Sequence, residues 1–535
     1  MAKWEFFKGH RENWFSWDVY NWVDMSDPDS YTDYPDLMDR CSPDRVRRAL
    51  SAWTDYMVMD VRYYPAGSYK EPGKPLLTNV PAFCLVRLKE FISGRHVANI
   101  KLFLPQRWNR RFMGIAGAGS NLETDWDKEQ TTNITSWPMA VRNGFACVVN
   151  DGATGMFVDA SWGFYGGDLE WDMIENWAFY GTHQVTMMAK AVVEAVYGDR
   201  IYKSYMHGTS GGARQIMAEA QRFPEDYDGL WADGPLYDYY NMMFSCLWAA
   251  LIFYNEPHRV PLSKFQAAKK LARKWQDANK VTTAFDPSES DWLDFLAQLM
   301  EISTPDGRIS KEDLQVMIKV WNGPLLSDGT RITYGFGPEI TQWPVGPRQF
   351  GYLRIKENGH PSLIPFALQQ MRWIRRDPNW DFTTCTYEEF EKMYLEHKDE
   401  FARYACYDPD LRKMAAYNKK LILTHGTGDH IVPNQMSLEY YKKACGYFRS
   451  EAEMKRNFRA FFPRYGGHAL YDWDGPNVTN ASGLSALMRW VEQEIPPEEL
   501  TAMNYDFLEE RLVKESSVPV YTLHESEYGT PWFQR

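Results

Sequence analysis

The sequence predicts an α/β fold built on a mostly parallel central sheet. Three observations carry this. Short apolar runs end in Gly/Asn/Asp loops at Val97 to Leu104, Arg111 to Ala116 and Gly144 to Val149. A long amphipathic helical stretch follows them. A strand–turn–helix unit then occurs twice, around Ser210 and around Asp429. Apolar strands bounded by turn signals and alternating with helical periods are the pattern of a buried parallel sheet.

The elements follow in chain order. The first hundred residues mix polar, aromatic and turn-forming stretches punctuated by Pro72-Gly73 and Ser93-Gly94, and 1–78 reads as an N-terminal arm. Strands are expected at Val97 to Leu104, at Arg111 to Ala116 running into Gly117-Ala118-Gly119-Ser120, and at Gly144 to Val149. Val185, Met188, Ala189, Val192, Val193 and Val196 form one apolar stripe at helical spacing. Thr182 is the expected cap of that helix and Gly198 its expected end. Ile201 to Met206 is a further strand, running into His207–Gly212 and a helix from Ala213 to Arg222. Lys420 to Thr424, the loop His425 to Asp429 and a helix opened by Pro433 repeat the unit. Between Tyr240 and Tyr417 the rhythm disappears, replaced by amphipathic helices (Ser263 to Asn279, Trp292 to Glu301), turns and aromatics. The expected organisation is a catalytic domain of 1–240 and 416–500, an inserted lid of 241–415 and a C-terminal arm of 501–535.

Composition narrows the function classes. With 59 Lys+Arg against 71 Asp+Glu the net charge is −12, which argues against a nucleic-acid partner. The apolar run Cys246 to Phe253 falls far short of the roughly 20 residues that cross a bilayer, so no membrane partner is expected. The N-terminus has no apolar h-region, and the expected location is the cytoplasm, or outside the cell if a leader has been removed. The seven cysteines are odd in number, widely spaced and without C-x-x-C, so they read as mostly reduced thiols. No metal or cofactor is expected. The aromatic fraction of 16% means rings buried in cores or lining a site for a flat apolar ligand.

The chemistry centres on Gly208-Thr209-Ser210-Gly211-Gly212, which fits G-x-S-x-G between a strand and a helix. A serine hydroxyl becomes a useful nucleophile only when exposed, aligned and next to a base. A strained turn with small neighbours supplies the exposure, and the N–H after the serine, that of Gly211, points at the developing oxyanion. Asp429 after the strand Lys420 to Thr424 is the expected acid, and His468, in Tyr465-Gly466-Gly467-His468, the expected base. His207 is a rival base, better read as packing because it points off along its strand. His425 and His430 flank Asp429. A second oxyanion donor is expected from the loop Gly117-Ala118-Gly119.

These stretches resemble the tannase/feruloyl esterase family of serine esterases. The matching segments include Val80 to Cys84, Leu104-Pro105 with Trp108 to Phe112, and Tyr205 to Gln215. Ala220 to Gly229, Asp408 to Leu411, Leu421 to Pro433 and Gly466-Gly467-His468 complete the set. The resemblance implies an α/β-hydrolase fold with a large inserted lid domain, a Ser210–Asp429–His468 triad, and hydrolysis of esters of phenolic acids. It also shows departures. The family's cysteines beside the nucleophile and the catalytic histidine are here Thr209 and Ala469, and no calcium loop is found between Tyr240 and Tyr417. One family-like pair is left open, Cys41 with Cys84.

The expected function is therefore a serine esterase acting on an aromatic or phenolic ester or lactone through an acyl-enzyme. Trp248, Phe253, Tyr254, Trp321, Tyr334 and Phe336 are the candidate lid contacts, each read more readily as core than as a ligand contact. An acyltransferase or lactone-forming or lactone-opening enzyme would use the same triad. A binding protein on an inactive hydrolase frame is a rival of another class, opposed by the presence of all three triad residues.

Overall fold

The computed structural model describes residues 31–71, 76–117, 137–154, 161–281, 285, 287–340, 353–355, 361–363, 365–468, 475–506 and 511–523. Its frame is a nine-stranded sheet. In chain order the strands are β1 Tyr56–Tyr64, β2 Phe83–Ile92, β3 His96–Pro105, β4 Arg111–Ile115, β5 Ala146–Asn150, β6 Lys203–Thr209, β7 Gly229–Asp233, β8 Lys420–Thr424 and β9 Phe458–Phe461. Across the sheet they lie β9-β8-β7-β6-β4-β5-β3-β2-β1. From β9 to β5 neighbouring strands run parallel, while β3, β2 and β1 form an antiparallel meander attached to β5. This is the mostly parallel α/β-hydrolase sheet that the sequence predicts.

The sheet separates two cores, and strand alternation does the sorting. Along β2, Cys84, Val86 and Leu88 enter one core and Phe83 and Leu85 the other. The first core is covered by α1 Gly181–Tyr197, α2 Gly211–Arg222 and α3 Gln435–Cys445, the second by α4 Asn480–Gln493. The strands β4, β5, β7, β8 and β9 are buried along their whole length, which is why β4, β5 and β8 read as largely apolar runs. The stripe of α1 faces this core, and Gly198 closes the helix with φ 69°. Thr182 is not the cap. A helix Trp171–Glu175 and a π-turn Asn176–Tyr180 run straight into α1, so its first amides need no side-chain partner there.

The segment between β7 and β8 is largely helical. Its first helix, Tyr239–Asn255, is buried on nearly every side, which accounts for the apolar run Cys246 to Phe253. Leu262–Asn279, Glu289–Glu301, Lys311–Asn322 and Tyr387–Phe401 follow. Among the described residues no helix is long and apolar enough to cross a membrane.

Two features depart from expectation, and a third resolves a pairing left open. β1 lies within the stretch expected as an arm and forms the edge of the main sheet. Glu499–Asp506 and Arg511–Pro519 pair as an antiparallel hairpin, and Leu500, Ala502 and Val518 bury against the second core. Cys41 and Cys84 form a disulfide, whereas Cys147, Cys246, Cys385, Cys406 and Cys445 are free thiols.

Candidate active site

β6 ends at Thr209 and α2 begins at Gly211, leaving Ser210 alone at the turn. Its backbone sits at φ 59° and ψ −119°, a conformation that costs a residue with a Cβ about 1–3 kcal/mol. Neighbouring contacts hold it there. The Ser210 N–H donates to the carbonyl of Asp233, at the end of β7, over 2.9 Å. The turn closes only with glycine on either side. A Cβ on Gly208 would come 2.6 Å from the Gly212 carbonyl carbon, and one on Gly212 would come 2.3 Å from the Gly117 oxygen. The G-x-S-x-G spacing is thus a steric requirement of this elbow.

Asp429 follows β8 and is fully buried. Its Oδ1 accepts the amide protons of Ile431 and Val432 at 2.8 and 2.9 Å. Its Oδ2 lies 2.7 Å from Nδ1 of His468 and 3.1 Å from Nε2 of His425. Burial alone would raise this carboxyl, but the two imidazoles outweigh it and hold Asp429 well below the usual carboxylate range. Asp429 is therefore ionised at neutral pH and accepts only, so Nδ1 of neutral His468 carries the proton and Nε2 keeps its lone pair.

Glycines let the loops interlock. Gly428 donates to the Gly466 carbonyl at 2.8 Å, and a Cβ on Gly426 would collide with the same oxygen. Gly234, at φ 55°, packs against both acid and imidazole: a Cβ there would meet Asp429 Oδ2 at 3.3 Å and His468 Nδ1 at 3.6 Å. The dipeptide Asp233-Gly234 thus touches the Ser210 backbone with one residue and the Asp429–His468 pair with the next. Thr209 has its hydroxyl 3.3 Å from Asp233 Oδ2. Asp233 Oδ1 accepts from Thr424 at 2.6 Å, and Thr424 accepts from Trp231 at 2.9 Å. Burial pushes the Asp233 carboxyl up. Ala469 lies outside the described residues.

The other site expectations resolve as follows. His207 is fully buried against the Trp231 ring, 3.9 Å between centroids, and burial pushes its imidazole down to about 3. It packs, as expected. Gly211 opens α2 directly after Ser210. The Gly117 amide is not an available oxyanion donor, because it donates to Oε1 of Gln215 at 2.8 Å. Ala118 and Gly119 lie outside the described residues.

Trp248, Trp321 and Phe336, candidate lid contacts that read more readily as core, are buried in core. Trp248 donates to the Lys319 carbonyl and packs on Phe390, while Trp321 meets Phe265 and Trp292 edge to face. A largely helical insertion has to bury its own rings before it can offer any to a ligand. Phe253 lies under the Arg259 guanidinium, Tyr254 meets Phe382 edge to face, and Tyr334 donates to Glu439 on α3 at 2.6 Å.

Among the described residues one group has the side chains for a metal: His183, Glu219 and Asp226. His183 Nδ1 already lies 2.7 Å from Asp226 Oδ2, and the buried ammonium of Lys190, bonded to the Asp226 carbonyl and Ser204, stands beside the carboxylates. Burial pushes the Lys190 ammonium down and the Glu219 carboxyl well up.

Gln215, Asp233 and His425 were not assigned roles from the sequence. Gln215 and His425 each lie inside a matching segment, Tyr205 to Gln215 and Leu421 to Pro433, whereas Asp233 lies in none.

The model of the family described as tannase and feruloyl esterase matches residues 93–521. The chain belongs to that family. As a member of the tannase and feruloyl esterase family it is a carboxylic ester hydrolase. A probable feruloyl esterase of Arthroderma benhamiae is 27% identical over 458 residues, 81% of each chain. In three dimensions the chain is similar to feruloyl esterase B from Aspergillus oryzae, with TM-score 0.72, 18% identity and coverage of 91% of this chain and 96% of that one. It is also similar to the tannin acyl hydrolase from Aspergillus niger, with TM-score 0.71, 17% identity and coverage of 91% and 92%.

Proposed function

We propose that this family member cleaves an ester of a hydroxylated aromatic acid, with Ser210 as nucleophile, His468 as base and Asp429 as acid. The observation that carries the assignment is the buried Asp429–His468 hydrogen bond, linked through Asp233-Gly234 to a serine at an elbow conformation. Nε2 of His468 takes the hydroxyl proton as Ser210 attacks the carbonyl, and returns it to the leaving alcohol. Asp429, fixed by two amides, keeps the imidazole in the required tautomer and stabilises its charged form. The Gly211 N–H receives the oxyanion, with a second donor from Ala118 or Gly119. Water then releases the acid from the acyl-enzyme.

The aromatic acyl group is supported by the names of the relatives, feruloyl esterases and a tannin acyl hydrolase. The Cys41–Cys84 disulfide supports an oxidising compartment in place of the cytoplasm expected from the sequence.

The test is a panel of methyl gallate, methyl ferulate, a p-nitrophenyl ester and an aromatic lactone, with fluorophosphonate labelling of native protein. Turnover of a methyl phenolate ester, lost in Ser210→Ala together with the label, is the expected result. Activity on the p-nitrophenyl ester alone would remove the phenolic acyl group from the proposal. Retained activity in Ser210→Ala would remove the triad.

A further inference from the structure

His425 is fully buried, four residues before Asp429, and both of its ring nitrogens are engaged. Nε2 lies 3.1 Å from the Val432 carbonyl and 3.1 Å from Asp429 Oδ2. A carbonyl and a carboxylate can only accept, so Nε2 carries a proton. Nδ1 lies 2.6 Å from the Ser437 hydroxyl on α3. Ser437 Oγ lies 3.0 Å from the hydroxyl of Tyr237, just before the first helix of the insertion. Burial pushes the Tyr237 phenol up, so it keeps its proton and can donate. One consistent direction then runs through all four groups: Tyr237 O–H to Ser437, Ser437 O–H to Nδ1, and Nε2–H to Asp429.

We propose that His425 is a positioning residue for the catalytic acid: a neutral imidazole, locked in its Nε2–H tautomer by Ser437 and Tyr237, that holds Oδ2 of Asp429 against His468. The proposal rests on the triad assigned above. His425 cannot itself serve as a base, since neither nitrogen is left to receive a substrate proton. Its effect is exerted on Oδ2, which accepts from His425 and His468 together. An N–H donated to a carboxylate lowers its basicity. His425 therefore trims the pull of Asp429 on His468 as well as fixing its direction. The titratable groups facing this imidazole are Asp429 on its own loop, Asp233 from β7, His468 from the opposing loop and Tyr237 from the start of the insertion.

Two measurements on the full-length protein decide the matter. The first is nitrogen NMR of protein labelled on histidine, with His425→Gln used for assignment. A neutral Nε2–H imidazole at neutral pH is expected; an imidazolium or an Nδ1–H tautomer there overturns the proposal. The second is the pH profile of kcat/KM on a p-nitrophenyl ester. In His425→Leu the acid limb should move up by about half to one pH unit with KM within about twofold, and His425→Gln, which keeps an N–H, should return most of the shift. A folded His425→Leu protein with an unmoved limb overturns the proposal. If that variant does not fold, the NMR result and Ser437→Ala decide: loss of the Ser437 donor should perturb the His425 resonances and lower kcat severalfold, and an unchanged spectrum overturns the relay. Failure of the triad reads differently. Ser210→Ala would then stay active, whereas failure of the relay alone leaves Ser210→Ala inactive and the His425→Leu profile that of the parent.

Discussion

The side-chain oxygen of Gln215 accepts the amide proton of Gly117 at 2.8 Å, joining the helix that begins at the nucleophile to the loop that follows β4. On the proposed assignment that loop supplies the second oxyanion donor, and Gln215 anchors its first residue. Gln215→Ala is expected to lower kcat by roughly tenfold with little change in KM, below the roughly 10²–10³ that direct removal of a donor costs. Steady-state kinetics on a p-nitrophenyl ester checks this, and a KM effect alone would refute it.

Gly212 has no room for a side chain, because a Cβ would sit 2.3 Å from the Gly117 oxygen. Neither partner is a flexible side chain that could swing aside. Gly212→Ala should therefore cost at least about 2 kcal/mol in denaturant unfolding and abolish esterase activity. An active, equally stable variant would mean that the elbow is looser than described.

Much of this site is legible in the sequence because its chemistry is local. The elbow, the acid after a buried strand and the glycine-flanked histidine each carry their signal within a few residues. What escapes the sequence is contact between distant segments. Gln215 meets Gly117 across 98 positions, and Asp233 meets Thr424 across 191. His425 lies only four residues from Asp429, yet a loop has no fixed period, so nothing in the spacing says that its ring turns back. The same holds for the fold. β4, β5 and β8 announce themselves as largely apolar runs; β7 and β9 do not, and neither does β1. It is an edge strand with outward methionines, Met57 and Met59, and a register shift between Val58 and Asp60 that breaks its alternation.

Glu339 in the insertion and Glu90 on β2 are buried carboxyls, each pushed up to about 7 chiefly by desolvation. Glu339 accepts the Phe285 amide proton, and burial is the first cause of its shift. A carboxyl raised in the fold from an unfolded value of 4.5 favours the protonated protein. Its stabilising effect is complete below the unfolded value and is lost as pH rises through about 7. For a shift of this size the loss is on the order of 3 kcal/mol. Glu339→Gln should therefore unfold at a higher denaturant concentration than the parent at pH 8, with the difference vanishing near pH 4. Glu90, raised in the same direction, leaves part of the slope in place in that variant. A parent protein whose stability rises between pH 5 and 8 in step with an identical variant would contradict the assignment.

The Cys41–Cys84 disulfide closes a separation of 43 residues and ties the helix Leu37–Arg40 to β2. Chain-entropy arguments give such a bond about 4 kcal/mol against the unfolded state. Cys41→Ser is expected to lower the thermal midpoint and to remove its sensitivity to reductant. Kinetic constants at 25 °C should stay close to the parent's, since the bond lies away from the Ser210 elbow along the chain. A midpoint indifferent to reductant in the parent would show that the bond does not form in solution.

β7 and β8 lie side by side in parallel register, Asp233 opposite Thr424, although the whole insertion separates them in the chain. The two ends of that insertion are thus held together by the sheet itself, one following Asp233, which binds the Ser210 amide, and the other entering the strand that precedes Asp429. Whatever is spliced between them, long or short, begins and ends at the same two fixed points. The segment behaves as a cassette. Its points of attachment stay beside Ser210 and ahead of Asp429 whatever its length, while Tyr237 and Tyr334 bond it to α3 and Arg273 and Asp277 bond it to Tyr465, in the loop that carries His468.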